Sequence, residues 1–214
     1  MITILDLLIS LLDKLGILGL MKERLLEAPR DTFHKLLDSL EALQVIYGLI
    51  DQMYLDYSRL QFDVASKVDQ LDKLIALEAD QRAAKAAAAR AYYQRLVEIY
   101  QQHLVQWIGK HLSQSDQERI NEAFQACILG EKNILSLFEH VADQIAKEAT
   151  VTRELLEKDQ FEKANQRVMA FRTEMAPIRQ KINASMGILI DLETTLSMHS
   201  HIQQTNSSSP NEHD

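Results

Sequence analysis

Between Phe33 and Ile75 the apolar residues recur at alternating intervals of three and four. They run Phe33, Leu36, Leu40, Leu43, Tyr47, Ile50, Tyr54, Tyr57, Gln61, Val64, Val68, Leu71 and Ile75, and only Gln61 is polar. That spacing predicts a helix with one unbroken buried seam, because the a and d positions of a seven-residue repeat line up along a single face. The residues flanking the seam at the g positions are Ser39, Ile46, Met53, Leu60, Lys67 and Leu74, and most of them are apolar too. A stripe of that width suits a bundle of three or more helices better than a two-stranded coiled coil. The opposite face carries Asp56, Asp63, Asp69 and Asp72, with Asp63–Lys67 and Asp69–Lys73 expected as helical surface pairs.

The repeat loses phase near Glu78, and Ala83 to Ala89 is almost all alanine. Alanine sustains a helix but supplies little core volume, so the bend in the chain is expected here. The pattern resumes with Tyr93, Val97, Tyr100, Leu104 and Trp107 and ends at Gly109-Lys110-His111. One unbroken helix over 31–110 would be roughly 120 Å long, and the wide stripes favour two helices in a bundle instead. Ser115 and Glu118 have the spacing of a capping box for the next helix. Its seam reads Ile120, Phe124, Cys127, Ile134, Phe138, Val141 and Ile145, with Glu131 beside Gly130 as one discordant turn. A turn is expected at Lys158-Asp159-Gln160, with Asp159 as the cap of a final helix. That helix repeats strictly through Phe161, Ala164, Val168, Phe171, Met175, Ile178, Ile182, Ser185, Leu189, Leu192 and Leu196. Charged flanks such as Arg167, Arg172 and Arg179 narrow its stripe and predict an edge position, and Pro177 predicts a kink.

The chain before this organised body is of a different kind. In residues 1–30, Thr3, Asp6, Ser10 and Asp13 form a narrow polar stripe and nearly everything else to Leu15 is Leu or Ile. A helix apolar around most of its circumference needs cover on several sides. Leu5, Leu8, Ile9, Leu12 and Leu15 are therefore the candidate docking or oligomerisation face. Gly16 and Gly19 divide the segment, and a second short helix is expected over Leu18 to Leu26. Pro29 breaks it, after which Asp31 can cap the long helix. Residues 31–203 form the bundle, and 204–214, with Ser207-Ser208-Ser209-Pro210, read as a disordered polar tail.

Charge narrows the function. A net charge of −8 and a pI near 5.4 argue against nucleic-acid binding, which needs a basic face to displace counterions. The single cysteine, Cys127, excludes an internal disulfide framework and falls on a seam, as a small core residue would. The N-terminus lacks the basic start of a secretory signal, and Asp6, Asp13 and Lys14 interrupt any membrane-spanning run, so a cytoplasmic protein is expected.

Chemistry-bearing motifs are absent. No Glu-x-x-His pair occurs to build a carboxylate-bridged metal site, and the six glycines are scattered rather than gathered in a phosphate loop. No catalytic residue, metal ligand or cofactor is expected. Tyr93, Tyr100 and Trp107 share one stripe and form the candidate ligand groove. The reading is an all-α, elongated antiparallel bundle of four to five helices with heptad-patterned, coiled-coil-like seams. Its expected role is a non-enzymatic interaction or scaffold module, joined to a second copy or a protein partner through the N-terminal segment. A peripheral membrane-binding or pore-forming protein is the alternative, and a small-ligand sensor bundle is the next.

Overall fold

A computed structural model of the chain describes residues 4–20, 22–26, 28, 30–130 and 133–207. Its elements are α1 (Ile4–Leu20), α2 (Lys22–Leu26), α3 (Arg30–Ser58), α4 (Lys67–Glu78), α5 (Asp80–Ile99), α6 (Val105–His111), α7 (Gln114–Ile128), α8 (Ile134–Glu157) and α9 (Phe161–Ser207). A single π turn, Tyr100–Leu104, joins α5 to α6. The described residues contain no strand, and the protein is an all-α helical bundle.

The longest element, α9, is the spine, packing against α1, α2, α3 and α8. Every predicted seam residue from Ala164 to Leu196 is buried, and only Phe161 is half-exposed. Its charged flanks do not make it an edge helix, as the sequence suggested. They reach across to its neighbours: Arg179 donates to Asp51 at 2.9 Å and lies over the Tyr54 ring at 5.2 Å. Phe171 is gripped between two tyrosines of α3, stacked on Tyr54 at 5.8 Å and edge-on to Tyr57 at 4.8 Å. The helix continues through Pro177 as one element and takes in the start of the polar tail as far as Ser207; 208–214 lie outside the described residues.

The seam of α3 is buried from Phe33 to Tyr57, as its periodicity predicts. The bend, however, falls at 59–66 and not near Glu78. The signal was present in Leu60-Gln61-Phe62-Asp63, where burial alternates residue by residue, the period of an extended segment rather than a helix. Leu60 and Phe62 point into the core while Gln61 and Asp63 face water. Asp63 therefore forms no helical pair with Lys67. Its carboxylate accepts from the Ser66 amide at 2.8 Å and the Ser66 hydroxyl at 2.9 Å, tying the turn that opens α4, and Lys67 pairs with Asp159 at 2.6 Å. At Glu78 the chain merely kinks at Ala79 (φ −124°, ψ −66°) before α5 begins.

Two further expectations shift. The helix predicted across Gly130 is broken there, because Asn133 caps α8 by accepting from the Ser136 amide at 2.8 Å while donating to the Gly130 carbonyl at 2.8 Å. The cap of α7 is Ser113, two residues before the expected Ser115, with Asp116 supplying the amide it accepts from. The turn at 158–160 forms where expected, but Asp159 closes α8 instead of capping α9. It adopts φ 57°, its amide donates to the Leu156 carbonyl and that of Gln160 to the Leu155 carbonyl, the left-handed helix stop usually made by glycine.

Candidate functional site

Of the face expected to dock a partner, two side chains are described, and the bundle buries one of them, Leu15. Helix α1 lies on α9, α7 and α8, with Leu11, Leu15 and Leu18 buried there and Lys14 paired to Glu122 of α7. Leu15 is thus a core residue and presents nothing to a partner. Ile9 is partly exposed, and the side chains of Leu5, Leu8 and Leu12 lie outside the described residues.

Tyr93, Tyr100 and Trp107 do not share a groove. Tyr93, half-buried, donates to the Ile128 carbonyl and accepts from Asn133, so it is fixed to the turn between α7 and α8. Tyr100 is buried against Phe124 at 5.8 Å and donates to Asn121 at 3.2 Å. Burial raises the hydroxyl pKa of both rings, the ordinary consequence of taking a phenol out of water. Trp107 is buried apart from them, and its indole N–H has no hydrogen-bond partner among the described residues.

Two other buried polar contacts bridge helices. The Glu148 carboxylate is gripped by Arg167, Nε at 2.6 Å and Nη2 at 2.8 Å, a two-point pair between α8 and α9. Beside it the Tyr57 hydroxyl shares a hydrogen with Thr152 at 2.7 Å, linking α3 to α8, and burial pushes its pKa up to about 12. Cys127 is likewise buried, and its thiol is pushed up to about 12, far from the thiolate that nucleophilic chemistry requires. No group of three or more acid, histidine or cysteine side chains among the described residues could hold a metal ion.

The surface feature that sequence reasoning missed is on α4. This helix turns Leu74 and Leu77 inward, packing on α8, α5 and α3. The residues that continue the α3 seam consequently face outward: Val64 is 78% exposed, Val68 74% and Ile75 47%, with Leu71 half-buried between them. Asp69 and Asp72 are exposed on the same helix and Asp63 lies at its foot. The loop below is rigidly held. The Asn165 side chain pairs with both backbone groups of Phe62, accepting from its amide at 2.8 Å and donating to its carbonyl at 2.9 Å, while Arg172 donates to the Ser58 carbonyl. A cleft of about 300 Å³ opens beside it, with Leu60, Gln61 and the largely exposed Met169 in its walls. The sequence signal for this surface is the same heptad, which the chain reversal at 59–66 turns outward.

No protein-family model, curated protein or solved structure matches the chain. No described helix is long and apolar enough to cross a membrane.

Proposed function

We propose that this is a non-enzymatic helical module that captures an amphipathic helix of a partner protein on the outer face of α4. The observation that carries this reading is the exposed pair Val68 and Ile75, seven residues apart on α4, with Val64 exposed in the turn before the helix and Leu71 half-buried at the edge of the stripe. Three- and four-residue spacing fits a helix as occupant, since knobs on one seam need the complementary holes of another. The acids Asp63, Asp69 and Asp72 beside the stripe favour basic flanks on the incoming helix, and the ammonium of Lys67 is already engaged by Asp159. A 12-residue helix offers about 18 Å of seam, a small face beside the roughly 800 Å² per partner of a stable complex. It suits transient capture of one helix better than a permanent dimer.

The test uses two synthetic helices with the same Leu/Ile seam, one with Lys/Arg flanks and one with Glu flanks, followed by fluorescence anisotropy. The basic peptide should bind, the acidic one should not, and Val68→Asp with Ile75→Asp should abolish binding while leaving the circular-dichroism spectrum intact. Equal binding by that double variant would remove the site. Sedimentation of the full chain separates the other occupant: a dimer that dissociates on Val68→Asp would assign the face to a second copy instead.

A further inference from the structure

The spine helix α9 carries a second seam, opposite the one it buries. From Met169 it runs through Thr173, Ala176, Gln180, Asn183 and Gly187 to Ile190 at alternating intervals of three and four, and every one of these residues is exposed. None is charged, and between Ala176 and Ile190 no exposed residue of the helix is charged at all. Other solvated faces of the chain differ: the exposed side of α8 bears Glu139, Asp143, Lys147 and Glu154. Depletion of charge at heptad spacing is the composition of a helix–helix contact, not of a face selected by water. Continued one step at each end, to Gln166 and Thr194, the seam is about 42 Å long, roughly four heptads.

Gly187 points the same way. It is the sole glycine of α9 and sits well inside the helix, where glycine is disfavoured relative to alanine. A Cβ there would meet nothing within 4 Å, so packing within the chain does not call for its absence. Close approach of a backbone from outside the chain does. The charged residues along the edges of the seam are engaged within the chain. Arg172 donates to the Ser58 carbonyl, Arg179 to Asp51 at 2.9 Å, Glu193 accepts from Gln44 at 2.6 Å, and Asp191 pairs with Lys22 at 3.8 Å.

We infer that this face joins two copies of the chain, α9 against α9, antiparallel about a two-fold axis between Lys181 and Ile182. A two-fold contact requires a face complementary to itself, and this register pairs like with like. It sets Gln180 of one copy beside Asn183 of the other, two amides that can exchange hydrogen bonds and fix the register. It sets Ala176 beside Gly187, where the backbones come closest, and Thr173 beside Ile190. Along one flank Arg172 of one copy falls next to Glu193 of the other, so no like charges oppose there. Net charge argues for the same occupant: copies that each carry −8 repel, and a neutral face is where they can approach. The contact does not depend on the α4 docking surface, and the two can fail separately.

Sedimentation equilibrium of the full chain over a range of concentrations should show a monomer–dimer equilibrium. Gly187→Phe fills space that is open in the single copy and closed in the dimer. It should raise the dissociation constant about tenfold or more, with helicity and melting temperature retained. Charge exchange tests the partner as well as the face. Gln180→Glu with Asn183→Glu should give a monomer, as should Gln180→Lys with Asn183→Lys, and mixing the two variants should restore a mixed dimer, which misfolded chains could not do. A monomer at every concentration, a dimer unmoved by these variants, or a mixture that stays monomeric would overturn the proposal. A dimer dissociated by Val68→Asp and not by Gly187→Phe would overturn it too, by placing the contact on α4.

Discussion

Helix α3 and helix α4 carry one heptad repeat between them and do opposite things with it. From Phe33 to Tyr57 the seam is buried against α9, α5 and α8; beyond it Val64, Val68 and Ile75 face water and Leu71 is half-buried. The difference lies in the eight residues between them, 59–66, which reverse the chain and present the other face of α4, Leu74 and Leu77, to the bundle. A heptad therefore specifies that a helix has an apolar face, and the connection decides whether the same chain covers it.

The comparison can be broken most directly by truncating one residue on each side. Ile50→Ala should cost about 3 kcal/mol in urea unfolding, because the fully buried side chain leaves a cavity. Val68→Ala should change stability by less than about 0.5 kcal/mol. Equal losses would mean that the α4 stripe is covered after all.

Next in size is the Glu148–Arg167 pair, which ties α8 to α9 on the buried side. The Glu148 side chain is 10% exposed but that of Arg167 43%, so water screens part of what Glu148→Ala removes, and a loss of about 2 kcal/mol is expected. Lys67→Ala, removing the exposed pair that α4 makes with Asp159, should fall within about 0.5 kcal/mol.

Alkaline pH sharpens the contrast further. Cys127 keeps its proton to about 12 in the fold, whereas an unfolded thiol ionises near 8.5. The unfolded chain then holds fewer protons than the native one, so this group's contribution is intact below about pH 8.5 and declines as pH rises toward 12. The decline should approach ~1 kcal/mol per pH unit, and Cys127→Ala should flatten it. Unfolding midpoints at pH 7 and pH 10 measure both. At the other extreme, the Ser66 amide and hydroxyl hold the Asp63 carboxyl below its usual range. Its stabilisation is present above the unfolded carboxyl range and lost as pH falls through the lowered folded value. Acid should therefore loosen the 59–66 turn first, seen as faster hydrogen exchange at Ser66.

A further substitution isolates the loop itself. Asn165→Ala strips the Phe62 amide and carbonyl of their partners and should cost about 1 kcal/mol, with exchange at Phe62 accelerating and the α3 seam unaffected.

Much of the fold was legible in the sequence, and where it was not, a physical reason can be named. The seam of α9 was readable to the last leucine because nothing interrupts its repeat. The helices on either side of Gly130 read as one because Cys127 and Ile134 happen to stay in phase across a break that Asn133 creates with its own side chain. Leu60 and Phe62 follow an alternating period inside a stretch whose flanks keep the helical one, so the heptad runs across a segment that is extended. The sites were less legible still. Exposure of the α4 stripe depends on which way the chain turns, which the spacing of apolar residues does not encode.

The π turn at Tyr100–Leu104 has a mechanical consequence. Before it the helix meshes with α3 and α8; after it, α6 meshes with α7. Ile99 and Leu104, five residues apart, both remain buried across the widened turn. The extra residue acts as a gear change between two sets of teeth of different pitch. Deleting one residue there would restore a uniform thread and force one of the two meshes to slip, rotating either Ile99 or Leu104 out of the bundle and turning the face that bears His103 with it.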